Sequence, residues 1–64
     1  MIKKLIYENV NLKTGFSYSV YLCEGVVQKS YRVYECNQNG DMKCIKESVS
    51  CDEIMAFTRK KVSH

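Results

Sequence analysis

Apolar and polar positions alternate from Phe16 to Tyr34, and the alternation repeats on both sides of Glu24-Gly25. Phe16, Tyr18, Val20 and Leu22 share one face of an extended segment; Ser17, Ser19, Tyr21 and Cys23 share the other. A period of two is the mark of a half-buried strand. A hairpin turning at Glu24-Gly25, with Cys23 facing Val26, sets Phe16 opposite Val33, Tyr18 opposite Tyr31, Val20 opposite Lys29 and Leu22 opposite Val27. All of these but Lys29 are apolar or aromatic, so this face is the expected core. A slip of one residue would exchange the faces, which pins the register. Lys29 is expected either to snorkel at the rim or to belong to an uncovered interface.

Residues 2–10 read as a first strand, with Ile2, Ile6 and Val10 on one face and Leu5 and Tyr7 on the other. The turn Asn11–Gly15 then returns the chain. Pairing Val10 with Phe16 brings Ile6 to Val20 on the core face and Leu5 to Tyr21 outside. Asn39-Gly40 is a hairpin signal, because both residues accept positive φ. It leads into a fourth strand over 42–48. A register with Ile45 and Val49 on the core face places Cys36 opposite Cys44 outside. Ser50 followed by Glu53 forms a capping box. Asp52 and Glu53 open the helix and Arg59, Lys60 and Lys61 close it, as the helix dipole favours. Cys51, Ile54, Met55, Thr58 and Val62 form a stripe at helical spacing, with Phe57 on its border. A helix is expected over 51–62, docked through Ile54 and Phe57, with Ser63 and His64 frayed. The expected fold is α+β: a four-stranded antiparallel β-meander followed by one C-terminal α-helix packed on one face (ββββα), as one small domain over 1–64.

The chain's 64 residues leave it near the lower limit of independent stability, with about 60% of its unfolded surface buried. There is little room for an enclosed substrate pocket. The acidic residues are scattered, the one histidine is terminal, and no glycine-rich phosphate loop occurs, so no catalytic residue and no enzyme activity are expected. The net charge of +3 permits nucleic acid or an acidic protein as partner and requires neither. Glu8 and Asn9 interrupt any apolar leader after Met1, and no apolar run reaches the length of a membrane span. The chain reads as a complete small reading frame, cytoplasmic, with no membrane partner. Cys23, Cys36, Cys44 and Cys51 contain no closely spaced pair. Metal-free, reduced thiols are therefore expected over a zinc site, with no cofactor. A Cys36–Cys44 disulfide is the runner-up.

Four strands make a sheet roughly 19 Å across, while a helix is only about 10–12 Å wide. Part of the core face and all of the outer face are thus left uncovered, and edge strands without proline can accept another strand. The chain is expected to be a non-catalytic binding protein that occupies another macromolecule. Its size and style suit a phage or mobile-element inhibitor of a host enzyme or defence complex, such as the anti-CRISPR proteins, by analogy only. The expected interface comprises Leu5, Tyr7, Tyr21, Val26, Arg32, Tyr34 and Lys46, since Tyr and Arg are favoured anchors. Two alternatives stand beside this. One is a nucleic-acid-binding regulator that stacks bases on the tyrosines and grips phosphate with Arg59, Lys60 and Lys61. The other is a structural homodimer.

Overall fold

The computed structural model describes residues 2–63. Strands β1 (Ile2–Val10), β2 (Ser17–Glu24), β3 (Lys29–Cys36) and β4 (Met42–Ser48) form one antiparallel sheet in the order β1-β2-β3-β4. Helix α1 (Cys51–Ser63) follows and packs on one face across β2, β3 and β4. This is the expected ββββα meander. Ser63 is not frayed: it is the last helical residue, its hydroxyl donating to the Arg59 carbonyl at 2.6 Å. His64 and Met1 lie outside the described residues.

The core is built on one residue pair at the centre of the sheet. Val20 stands directly opposite Val33, and both are fully buried beneath Ile54 of α1. Tyr18 joins them, and Tyr7, Phe16, Tyr31, Ile45, Met55, Phe57 and Val62 pack around the margin. Each fully buried aliphatic side chain contributes about 1.5–3 kcal/mol. Thr58, also buried in α1, spends its hydroxyl on the Ile54 carbonyl at 2.8 Å, so no polar group is left to compete with that packing. Cys51 departs from the expected helical stripe and is exposed. It sits in the first turn, ahead of the level at which Ile54 meets the sheet.

The central hairpin is displaced from the expected register. Cys23 faces Ser30, not Val26, and Glu24 faces Lys29, so the loop spans 25–28 and is closed by Gly25 N–H on the Gln28 carbonyl at 3.0 Å. The displacement is an even number of residues and therefore exchanges no faces. It replaces the pair of Val20 with Lys29 by Val20 with Val33, puts opposite charges at the mouth of the loop, and moves Lys29 to an exposed strand end. Val26 leaves the outer face altogether and becomes part of the loop.

Both edge strands carry a bulge at the level of that valine pair. In β1, Leu5 pairs with Tyr21 as expected, but Tyr7 pairs with Val20, and Ile6 is the extra residue. In β4, Lys46 pairs with Val33 and Cys44 with Tyr34, with Ile45 extra. An extra residue reverses the facing of everything beyond it. Tyr7 is thereby carried to the helix side and Val10 to the outer side, opposite Ser17. Cys44 meets Tyr34 and Cys36 meets Met42, which undoes the expected Cys36–Cys44 pairing; all four cysteines are free thiols. Ile2, Ile6 and Val10 are exposed rather than core, and Val49 lies exposed beyond the end of β4. The bulges also interrupt the regular row of donors and acceptors along each edge.

The turns and the helix cap are held by side chains. Asn11 is buried; its Oδ1 accepts from Lys13 N and Thr14 N at 2.9 and 3.3 Å, and its Nδ2 donates to the Lys61 carbonyl at 2.9 Å. Asn37 Oδ1 accepts from Asn39 N and Asp41 N, and Gly40 supplies the positive φ of 90° that the turn needs. At the helix start, Glu53 N donates to Ser50 Oγ at 3.2 Å. The Glu53 carboxylate accepts from Ser48 Oγ at 2.6 Å and lies 3.4 Å from Lys46 Nζ. The Ser48 hydroxyl and the Lys46 ammonium hold this carboxyl below the usual glutamate range.

Candidate functional site: the helix-free face of the sheet

The face opposite α1 is a grid fixed by the register. From the loop end backwards its cross-strand rows are Lys3, Cys23 and Ser30; then Leu5, Tyr21, Arg32 and Glu47; then Glu8, Ser19, Tyr34 and Cys44; then Val10, Ser17, Cys36 and Met42. Tyr21 and Tyr34, on diagonal positions of β2 and β3, meet edge to face, with ring centroids 5.5 Å apart and planes at 84°. This is the arrangement in which the positive edge of one ring meets the negative face of the other. Lys3 reaches over both rings, its ammonium 4.7 Å from the Tyr21 centroid and 4.5 Å from that of Tyr34, and lies 3.4 Å from the Tyr34 hydroxyl. The result is an aromatic pair under a cationic cap.

The surroundings hold that cluster in place. Arg32 Nε donates to Glu47 Oε2 across to β4 at 2.7 Å; this bond and the Tyr34 hydroxyl keep the guanidinium firmly protonated. Ser19 Oγ donates to Glu8 Oε2 at 3.4 Å. Although no helix lies over them, Ser19 and Cys23 are only 7% and 5% exposed, because the longer side chains around them fold across the sheet. Leu5, Val10 and Met42 remain exposed around the tyrosines. Strand residues on this face carry two positive charges, Lys3 and Arg32, and two negative ones, Glu8 and Glu47, so the surface is neutral as a whole.

Of the residues expected at the interface, Leu5, Tyr21, Arg32 and Tyr34 are together on this face. Three are not. The β1 bulge turns Tyr7 to the helix side, where it packs against the core. Val26 is at the tip of the β2–β3 loop. Lys46 points under α1, 3.4 Å from Glu53 and with its ammonium 5.3 Å from the Phe57 ring centroid. Lys3 is the addition. Period two places it beside Leu5, and the Leu5–Tyr21 pairing places it one row from Tyr21, so its role was readable from the alternation.

The basic run at the end of α1 lies on the other layer. Lys61 stands 5.6 Å from the Phe57 centroid, and Arg59 Nε donates to the Met55 carbonyl at 3.3 Å. The sheet separates Arg59, Lys60 and Lys61 from Tyr21 and Tyr34, so stacking rings and helix-end bases do not share a surface. Elsewhere, a depression of about 270 Å³ beside Phe16 and Met42 brings Glu35, Asp41 and Lys43 near one another. There Glu35 already accepts from the Tyr18 hydroxyl at 3.0 Å and lies 4.0 Å from Lys43. Burial, and then the Glu35 carboxylate, push the Tyr18 phenol above the usual tyrosine range, so it serves as a donor.

No protein-family model matches the chain, and comparison with curated proteins and with solved structures finds no match.

Proposed function

We propose that the chain is a non-catalytic binding protein that occupies a protein partner through the helix-free face of its sheet, in the manner of an inhibitor. The observation that carries this reading is the Tyr21–Tyr34 pair capped by Lys3 at the centre of a neutral, partly apolar face. Aromatic anchors held in advance by their neighbours lose little side-chain freedom on binding, which is where hot-spot energy comes from. A surface with two charges of each sign has no field to draw a polyanion, and the three bases of the helix end face away from it. This favours a protein over nucleic acid as the occupant.

The test compares Tyr21→Ala with the triple variant Arg59→Glu, Lys60→Glu, Lys61→Glu. Partners are captured from source-cell lysate with and without nuclease, and binding to bare single-stranded and duplex oligonucleotides is measured at physiological salt. A protein partner that survives nuclease, is lost with Tyr21→Ala and is retained by the triple variant is the expected result. Tight binding to bare oligonucleotide, abolished by the triple reversal, overturns it in favour of a nucleic-acid-binding regulator.

A further inference from the structure

The β3–β4 turn is shut by hydrogen bonds that converge on Asn37. Its N–H donates to the Asp41 carbonyl at 3.0 Å, and its own carbonyl accepts from Gly40 N–H at 3.1 Å. Its Oδ1 accepts from Asn39 N and Asp41 N at 2.9 and 3.1 Å. Asn39 and Gly40, at the tip, are exposed. The Asn39 side-chain amide makes no hydrogen bond to any described residue. Beside it, the space a Gly40 Cβ would occupy is open, with nothing within 4 Å. Glycine follows no other asparagine of the chain: Val10 follows Asn9, Leu12 follows Asn11 and Gln38 follows Asn37.

We propose that Asn39 is a site of spontaneous deamidation, reached when the β3–β4 turn opens. Gly40 N gives up its proton and attacks Asn39 Cγ. A bond forms between them, the Cγ–Nδ2 bond breaks, and Nδ2 leaves as ammonia with a proton in place of the lost bond. The product is a five-membered succinimide. Water then opens the ring at either carbonyl and leaves a carboxylate where the amide stood. Overall one water enters and one ammonia leaves, with no oxidant or cofactor. A side chain on the following residue would crowd this ring, and glycine has none. The closed turn opposes the attack, because it holds Gly40 N–H against the Asn37 carbonyl. Its hydrogen bonds are short-range and solvent-exposed, so they belong to the class that opens locally without global unfolding. Opening frees the nitrogen, and the unpartnered Asn39 amide turns towards it.

The consequence falls on stability. Ring opening at the main-chain carbonyl routes the backbone through Cβ and Cγ of residue 39, one atom longer than before. The spacing that fits Gly40 N–H to the Asn37 carbonyl is then lost. The new carboxylate lowers the chain's net charge from +3 to +2, three minus one. It arrives at a corner where Glu35 and Asp41 already outnumber Lys43. Gln38 Nε2 donates to the Thr14 carbonyl at 2.9 Å, so the loosening also reaches the β1–β2 turn. The row of Cys36 and Met42 separates Tyr34 from the turn, and the inference is independent of the tyrosine face.

Ageing the purified chain at physiological temperature and mildly alkaline pH tests it. Intact mass and peptide mapping follow the exchange of amide for acid, and isoaspartyl methyltransferase labels the rearranged linkage. The folded chain is expected to convert at position 39 and to stay unchanged at Asn9, Asn11 and Asn37. Unfolding in urea is expected to speed the conversion at least about tenfold, since the turn no longer has to open. Asn37→Ala deletes both bonds to Oδ1 and is expected to speed it about tenfold. A thermal melt checks that this variant folds; should it not, urea below the unfolding transition loosens the turn in its place. Asn39→Ser is expected to give no product and to keep the melt of the fresh chain, which the converted chain falls below. No isoaspartyl product at position 39 of the folded chain, while the unfolded chain converts, overturns the proposal. So does a rate that neither Asn37→Ala nor mild urea raises, or conversion at Asn9 or Asn11 as fast as at Asn39.

Discussion

The two faces of this sheet are made by the same strands, and each carries tyrosines, yet they are closed by different means. On one face Tyr18, Val20 and Val33 are sealed by Ile54 and Thr58 from a helix of the same chain. On the other, Tyr21 and Tyr34 are capped by a single lysine. Burial under α1 removes apolar area from water permanently and supplies stability. A cap of one flexible side chain orders the rings but leaves Leu5, Val10 and Met42 in solvent. The first face holds the fold and the second is available to a partner, so substitutions on the two faces should fail in different assays.

The largest expected effect is on the covered face. Ile54→Ala should cost about 2–5 kcal/mol, a large part of the stability of so small a domain, and a urea or thermal melt measures it. An unchanged midpoint would show that α1 does not close the sheet. Across the sheet, Tyr21→Ala should weaken partner binding by about 2 kcal/mol or more while lowering the melt much less than Ile54→Ala does. Comparable losses of stability from the two would erase the distinction between the faces. Lys3→Gln sharpens it further: removing the cationic cap should weaken the rings' order and cost about 0.5–1 kcal/mol, read as a change in aromatic side-chain NMR signals and in binding. The smallest effect concerns acid. The Glu53 carboxyl is depressed by Ser48 and Lys46, so its contribution is present above the ordinary glutamate range and is lost as pH falls through its folded value. Glu53→Gln should flatten the acid limb of the stability curve, and an identical limb in both proteins would remove the cap from the account.

Much of this architecture was legible in the alternation of the chain. Element order, the Asn-Gly turn, the serine cap and the buried Ile54 all follow from local chemistry that the tertiary structure does not oppose. What was not legible has two physical sources. The first is turn length. A tight turn at Glu24-Gly25 and a longer loop over 25–28 give the same face assignment, because they differ by an even shift. The decision rests on pairing Val20 with Val33 and Glu24 with Lys29, a non-local choice with a weak sequence signal. The second is the bulges. Ile6 and Ile45 are apolar residues at which period two breaks, and nothing in their neighbours announces it. Unbroken alternation therefore puts Tyr7, on the far side of the first bulge, on the wrong face, and groups Lys46, beside the second, with Arg32 and Tyr34 although it sits under the helix. Leu5, Tyr21, Arg32 and Tyr34 share one face as the alternation predicts, because each precedes a bulge or lies on an uninterrupted central strand.

The hydrogen bond from Asn11 to the Lys61 carbonyl joins positions 50 residues apart along the chain, the first turn to the last turn of α1. Closing so long a loop costs entropy that only a docked helix can offset. The contact exists only where the β1–β2 turn and the docked helix are both in place. The buried Asn11 side-chain amide is therefore a latch between distant parts of the chain: it ties the turn after the first strand to the end of the last element.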